Sequence, residues 1–382
     1  MERNLYEQEH EDFRAMVRSF MEKEVAPHTE EWLDDKMVPK SLFTKAAEVG
    51  LLGLNIPEEY GGAGDVGFRY NQIISEETAR IGGHLGGMRV HSDVCLGYVL
   101  AYANDEQRKR WLPQIAEGKG MLSIAMTEPG TGSDLAGIKT SAKLDGDHWV
   151  LNGAKTFITG GANADLVIVV ARTSSDPDNR RKGLSLLVVE DGMEGFEKGR
   201  LLNKIGLPLQ DTVELSFTDV HVPTANLLGE EGEAFSYLGH NLPQERLSIA
   251  SGALVSCEAA LRYTLDYVKE REVFGKPLAT FQNTKFELAA LEAKVEAARA
   301  MVDRAVLLLE EDKLTAVDAA KCKLFCTELQ GEVVDRCLQL FGGFGYMLEY
   351  PIARLYTDAR VSRIYGGTSE IMKTIIAKSM GI

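Results

Sequence analysis

No disulfide framework and no metal cage is written into this sequence. Its five cysteines (Cys95, Cys257, Cys322, Cys326 and Cys337) are odd in number and scattered over 382 residues, which suits reduced thiols in a core. Cys322 and Cys326 stand four apart rather than as C-x-x-C. The seven histidines form neither H-E-x-x-H nor any cluster, so a metal site is not expected. Basic excess is missing too: 57 acidic against 42 basic residues leave a formal charge of -15, which argues against nucleic acid or anionic lipid as a partner. No apolar run approaches the roughly 18 residues of a membrane span. The opening MERNLYEQEHEDFR lacks both the apolar region of a signal peptide and the acid-poor character of a transit peptide. The expectation is a cytoplasmic protein, or a mature form whose presequence has gone. Internal repeats and low-complexity segments are absent as well.

What is present has three textures. The composition, 45% hydrophobic and 26% charged, is that of a globular chain long enough for two or three domains. Residues 1–118 carry helix-period apolar positions, as in EHEDFRAMVRSFMEKEVAP, and Gly-rich joints separate the periods. Residues 119–229 change to β-branched runs of strand length, DLVIVVART, GLSLLVVE and VELSFTDVHVP, and Asn152-Gly153 reads as a hairpin turn between two more. Residues 230–382 return to long helical patterns that predict a bundle, the first over 233–270. The fold class is therefore α+β and multidomain: an all-α N-terminal domain, a middle β domain of barrel or sandwich type, and a C-terminal four-helix bundle. Strands do not alternate with helices, which excludes a doubly wound nucleotide fold. The formal G-x-G-x-x-G at Gly62–Gly67 follows NIPEEYG rather than a strand and reads as a loop.

Two segments gather chemistry. AMTEPGTGSDLAG (125–137) packs Thr127, Glu128, Gly130, Gly132, Ser133 and Asp134 together, where glycines admit a planar or anionic ligand and hydroxyls supply hydrogen bonds; an elaborate interdomain turn explains it equally well. QLFGGFGYMLEYPIARLYTD (339–358) joins a Gly-rich turn to aromatics, or is a helix C-cap and a loop. A third stretch, NLPQERLSIASGA (241–253), places Glu245 on a helical face shared with Ser248, Ile249, Gly252 and Ser256. A carboxylate facing so small and uncharged a surface is paired, solvated in a cleft, or held as a base with a raised pKa. The macrodipole of a first helical turn would also favour it there.

The segments 125–137 and 339–358 resemble the two signatures of the acyl-CoA dehydrogenase family, and REVFGKPLATFQ (271–282), RIYGGTSEIMK (363–373), PEEYGG near 57 and KTFITGG near 155 are similar to its other motifs, in order along the whole chain. Thr131 departs from the smaller residue usual in the first signature, and Phe157 from the tryptophan many members carry. The resemblance implies FAD as cofactor. Met126, Thr127, Gly132, Ser133, Phe157 and Thr159 would lie around the flavin ring; Arg271, Phe274, Gln282, Gln339 and Gly343 would reach the diphosphate and adenosine of a neighbouring subunit; Thr368 and Glu370 would contact the cofactor of their own. Arg271 suits phosphate because a guanidinium binds its oxygens bidentately. The family also implies a homotetramer built as a dimer of dimers, with an electron-transfer flavoprotein as partner.

The implied chemistry needs a carboxylate to take the α-proton of an acyl-CoA thioester and a flavin to take the β-hydride. Most members carry that base in Y-E-G-T, but this chain reads Tyr365-Gly366-Gly367-Thr368. The long-chain and isovaleryl branches carry it instead just before an arginine on the first bundle helix, and LPQER resembles them. The resemblance thus makes Glu245 the base and the Gly366 N–H the donor to the thioester carbonyl, with Ser133, Arg246, Tyr365 and Gly367 beside the substrate. Arg246 is read foremost as a structural ion-pair partner, with charge balance near Glu245 as the alternative. A carrier-bound or branched acyl thioester as substrate, an oxidase, and an inactive acyl-CoA binder are the alternatives.

Overall fold

A computed structural model describes residues 3–176 and 178–382. The chain opens with α1 (Gln8–Phe20), α2 (Thr29–Asp35), α3 (Ser41–Glu48), α4 (Phe68–Arg80), α5 (Leu96–Tyr102) and α6 (Asp105–Ala116). The first helical pattern does end around Pro27, but through a π turn at Met21–Val25 and a 3-10 turn at Ala26–His28, since proline has no N–H to continue the ladder. A second π segment, Val90–Cys95, leads directly into α5. Such widened turns re-aim the side chains around them. The G-x-G-x-x-G stretch enters α4 from a 3-10 turn, and the anion at that helix start is the protein's own Glu310 carboxylate, which accepts from the Arg69 N–H at 3.0 Å.

The middle of the chain is a sheet of β1 (Leu122–Ala125), β2 (Ser141–Asp145), β3 (His148–Thr159), β4 (Leu166–Arg172), β5 (Leu184–Glu190), β6 (Phe196–Lys198), β7 (Thr212–Pro223) and β8 (Leu227–Leu228). Their order is β6-β7-β3-β2-β4-β5-β8, with β1 parallel to β4. Alternate residues of β4 and β5 face two different cores, Val167, Val169 and Ala171 on one side and Leu166, Ile168 and Val170 on the other. That is why both strands read as unbroken apolar runs.

Asn152-Gly153 is not a turn. β3 runs straight through it, and the hairpin lies earlier, at Gly146-Asp147 between the paired Asp145 and His148, where Gly146 takes φ +62°. The register against β7 slips at Gly153, and the Asn152 side chain bonds Asp219 across the strands at 2.9 Å. A Cβ on Gly153 would stand 2.5 Å from the Thr140 hydroxyl, so the glycine marks a bulge and a close approach.

The C-terminal part is α7 (Ala234–Glu270), a small ribbon of β9 (Glu272–Val273) and β10 (Lys276–Pro277), then α8 (Gln282–Glu310), α9 (Ala316–Phe341), α10 (Pro351–Ala359) and α11 (Ser369–Ser379). Helix α7 buries Ala250, Ala253, Leu254, Cys257, Ala260 and Leu261, and α9 meets it with Cys322, Cys326, Leu329, Val333 and Cys337 at the same spacing of three and four. Four of the five cysteines are small packing residues of this core, Cys95 serves another, and all are free. Among the described residues, no helix is long and apolar enough to cross a membrane. None of their His, Cys, Asp and Glu side chains gather into a metal-sized group.

Candidate active site

Glu245 lies three turns into α7, which starts at Ala234, so the dipole of a first turn does not account for it. Only 7% of the residue is exposed. The fully buried Tyr98 of α5 donates its hydroxyl to Glu245 Oε1 at 2.7 Å. Burial raises the carboxyl to about 6, while the Tyr98 hydrogen bond and the charge of Arg246 hold it down. A carboxylate titrating there, in a cavity wall, is suited to take a proton near neutral pH.

The cavity it faces measures about 360 Å³ and lies between α4, the glycine segment 82–86, the end of β3, α7, α10 and the loop at Tyr365-Gly366. Gly82, Gly83 and Gly86 line it, whereas Gly87 serves packing: a Cβ there would meet Gly160 Cα at 2.8 Å. Phe157 stands in the cavity wall at the second bulge of β3, with φ +61° and 68% of its surface exposed. An aromatic in the left-handed region, left open, is the kind of local strain that a ligand-binding surface retains. Thr159 lies beside it in the same wall.

Gly366 answers the missing Y-E-G-T carboxylate in steric terms. Its φ is +60°, which L side chains rarely adopt, and a Cβ added to it would fall 2.2 Å from Ile249 Cδ1, so a side chain at 366 would be strained and would require the end of Ile249 to move. Its N–H has no backbone partner among the described residues and is free to donate to a ligand. The next residue is pinned from behind: the fully buried Lys323 donates to the Gly367 carbonyl at 2.6 Å. Burial, followed by the nearby charge of Arg246, lowers that lysine to about 8.

Sequence models of three domains of one family match the chain in order: the acyl-CoA dehydrogenase N-terminal domain over residues 7–119, the middle domain over 123–220 and the C-terminal domain over 232–381. This chain belongs to the acyl-CoA dehydrogenase family. A long-chain specific acyl-CoA dehydrogenase of Sus scrofa mitochondria is 48% identical over 99% of the chain and 88% of the relative's length. The crystal structure of an acyl-CoA dehydrogenase from Geobacillus kaustophilus superposes with a TM-score of 0.97 at 43% identity, covering 99% of this chain and 100% of that one. A glutaryl-CoA dehydrogenase from Mycobacterium smegmatis, solved in complex with FADH2, gives a TM-score of 0.89 at 28% identity over 98% and 95% of the two chains. The protein is thus a flavoprotein oxidoreductase with FAD as its cofactor, and its fold is the family's: helical, sheet, helical.

The other residues singled out in the sequence fall into three groups. Phe157, Thr159, Glu245, Tyr365 and Gly366 line the one cavity. Met126 and Thr127 lie behind it, tied to β3 by Lys155, which donates to the Met126 carbonyl at 2.9 Å and pairs with Glu128 at 3.0 Å, and by the Thr156 N–H on the Thr127 carbonyl. This buried pair was not legible as such; burial lowers Lys155 to about 8 against the pull of Glu128. Gly132 and Ser133 are exposed, and a Cβ on Gly130 or Gly132 would meet nothing, which leaves the room a flat cofactor needs. The residues at hand therefore fit FAD.

Arg271, Phe274, Gln282, Gln339 and Gly343 do not reach the cavity. Phe274 is 96% exposed, and Arg271 stacks over Phe344 at 5.5 Å. Thr368 caps α11, accepting from the Ile371 N–H at 3.3 Å, and Glu370 is exposed in its first turn. Three residues expected beside the substrate are not in the cavity wall, the exposed Ser133 being the first. Arg246, one position round the helix from Glu245, is buried behind it, and Gly367 follows the lining Gly366. Tyr98, Arg89 and Lys323 were missed, because each acts across elements more than forty positions apart in sequence.

Proposed function

We propose that the protein performs the α,β-dehydrogenation of an acyl-CoA thioester to the 2-enoyl-CoA, with Glu245 as the base that removes the α-proton. One observation carries this reading: a buried carboxylate with its pKa pushed up to about 6 in the wall of a cavity that also exposes an aromatic ring and a free backbone N–H. FAD, when bound, supplies the acceptor for the hydride that leaves the β-carbon. Gly366 N–H donates to the thioester oxygen as enolate character develops, which makes the α-proton acidic enough to transfer. Tyr98 holds the carboxylate in place, and Lys323 holds the 366–367 turn.

Phe157, Thr159, Met126, Thr127, Gly132 and Ser133 hold the ring of the cofactor in this reading, with Thr368 and Glu370 at its edge. Arg271, Phe274, Gln282, Gln339 and Gly343 serve the site of a neighbouring subunit in a dimer of dimers. Their exposure in the single chain supports it: Phe274, Phe344, Tyr346 and Leu348 are open apolar surface, the kind that monomers rarely leave uncovered. The three domains are taken as 1–118, 119–229 and 230–382, and the electron acceptor as an electron-transfer flavoprotein.

The test is an anaerobic titration of the purified protein with saturated acyl-CoAs of increasing length and branching, following flavin absorbance. Bleaching by free CoA thioesters supports the reading. A protein-bound flavin that none of them reduces removes it in favour of an inactive binder or a carrier-bound substrate.

A further inference from the structure

The cavity that holds Glu245 is also lined by His84, Gln210, Arg354 and Asp358, and among its charged side chains Arg89 keeps a nitrogen without a partner among the described residues. Arg89, at the start of the π segment, lines the cavity with 31% of its side chain open. Two of its three nitrogens are engaged: Nε faces Asp93 at 3.4 Å, and one terminal nitrogen donates to the Ser248 carbonyl at 2.6 Å and hydroxyl at 2.9 Å. Asp93 is itself held by Asn71 at 2.7 Å and by the Ser248 hydroxyl, so the arginine is anchored rather than free to swing. The remaining terminal nitrogen makes no hydrogen bond with the described residues and lies over Gly252, where a Cβ would stand 2.5 Å away. Any larger residue at 252 would cover it. The other lining arginine, Arg354, is turned to Glu30 at 3.1 Å.

A second, independent feature points the same way. Gln330, 6% exposed, also lines the cavity, and its amide oxygen has no partner. An amide presents an acceptor, or turned over a donor, to whatever lies against it. Unsatisfied polar groups of this kind are costly in a wall built for methylenes alone and become useful when the guest is polar.

We infer that the preferred acyl group carries an anionic carboxylate on its tail, as in the mono-CoA thioester of a dicarboxylic acid, and that Arg89 is the residue that selects it. The inference rests on the acyl-CoA dehydrogenase reading above and specifies its substrate class. At a rise of 1.5 Å per residue, Ser248 and Gly252 stand roughly 5 and 10 Å along α7 from Glu245, so the carboxylate sits several carbons from the reacting bond. The one terminal nitrogen left open can donate a charge-assisted hydrogen bond to a carboxylate oxygen, and because Asp93 and Ser248 already hold the guanidinium, the ordering cost is spared.

The experiment compares kcat/KM for flavin reduction by plain acyl-CoAs and by ω-carboxylated acyl-CoAs of matched length, in the wild-type holoenzyme and in Arg89→Met and Arg89→Lys. The expected result is a wild-type preference for the carboxylated thioester. Arg89→Met should lose on the order of 10- to 100-fold on it, with little change for the plain one. Arg89→Lys, which keeps the charge, should recover part of the loss. The flavin spectrum of each variant reports that it is folded, and the wild-type comparison stands without them. Wild-type enzyme that accepts plain but not carboxylated thioesters, or an Arg89→Met that loses both equally, overturns this inference and leaves the dehydrogenase reading intact. If neither kind reduces the flavin, both fall.

Discussion

Replacing Glu245 by glutamine tests the base through stability as well as through chemistry. The folded carboxyl titrates at about 6 against an ordinary 4.5, and burial is the main cause, so the folded protein binds this proton more tightly than the unfolded chain does. The sign follows from linkage. A group with a raised folded pKa contributes stability that is complete below 4.5 and is lost as pH rises through 6, which for this gap amounts to about 2 kcal/mol. Glutamine keeps the oxygen that accepts from Tyr98 and removes the charge. Denaturation of the flavin-loaded protein should therefore show Glu245→Gln more stable than the parent by about 2 kcal/mol at pH 8, shrinking to below about 1 kcal/mol at pH 5. The same variant should lose substrate-driven flavin reduction by a factor of roughly 10² to 10⁴, the typical worth of a positioned base. A variant whose stability follows the parent's at both pH values would refute the burial argument. One that still bleaches at the parental rate would refute the assignment of the base.

Two further substitutions probe the supports of the site. Tyr98→Phe removes a hydrogen bond to the charged form of Glu245, so the acid limb of the kcat/KM profile, which needs the carboxylate, should move up by about one pH unit or more; an unmoved limb would show that the hydroxyl does not tune the base. Gly366→Ala adds a Cβ at φ +60° against Ile249, so it should cost more than about 1 kcal/mol in thermal unfolding of the holoprotein and slow flavin reduction together; normal unfolding and activity would mean that the loop has room the packing denies.

Much of this was legible before any coordinates. The change of period at the two domain junctions, the six ordered motifs and the small face around Glu245 are local in sequence, and local signals survive reading one residue at a time. The Asn152-Gly153 hairpin failed for the complementary reason: that dipeptide suits any backbone needing unusual φ, and whether it becomes a turn or a bulge depends on β7, which lies some sixty residues on. Tyr98 and Glu245 are 147 positions apart, and Lys323 is 44 positions from the carbonyl it holds. No spacing rule couples such pairs, because the contact is made by the packing of α5, α7 and α9. Arg271, Phe274, Gln282, Gln339 and Gly343 were assigned to the cofactor only through resemblance: on the single chain they are simply exposed, and no local pattern marks them for it.

The geometry of α7 joins the two oddities of the sequence into one. Glu245 and Ile249 are one turn apart on the same face, and both line the cavity. Ile249 fills the space into which a side chain at 366 would have to grow, and the positive φ of Gly366 disfavours any L side chain there independently of that space. The loop can therefore offer the cavity only its backbone, an N–H with no backbone partner, while the helix can offer a side chain. A base on the loop would require a different turn at 366 and a shifted side chain at 249. Placing the carboxylate on α7 requires neither. It also sets the base against Tyr98 on one side and, through Ser248 in the next turn, within the same buried network that anchors Arg89. The helix that carries the carboxylate we propose as the base thereby also fixes the position of the group we assign to reading the acyl tail.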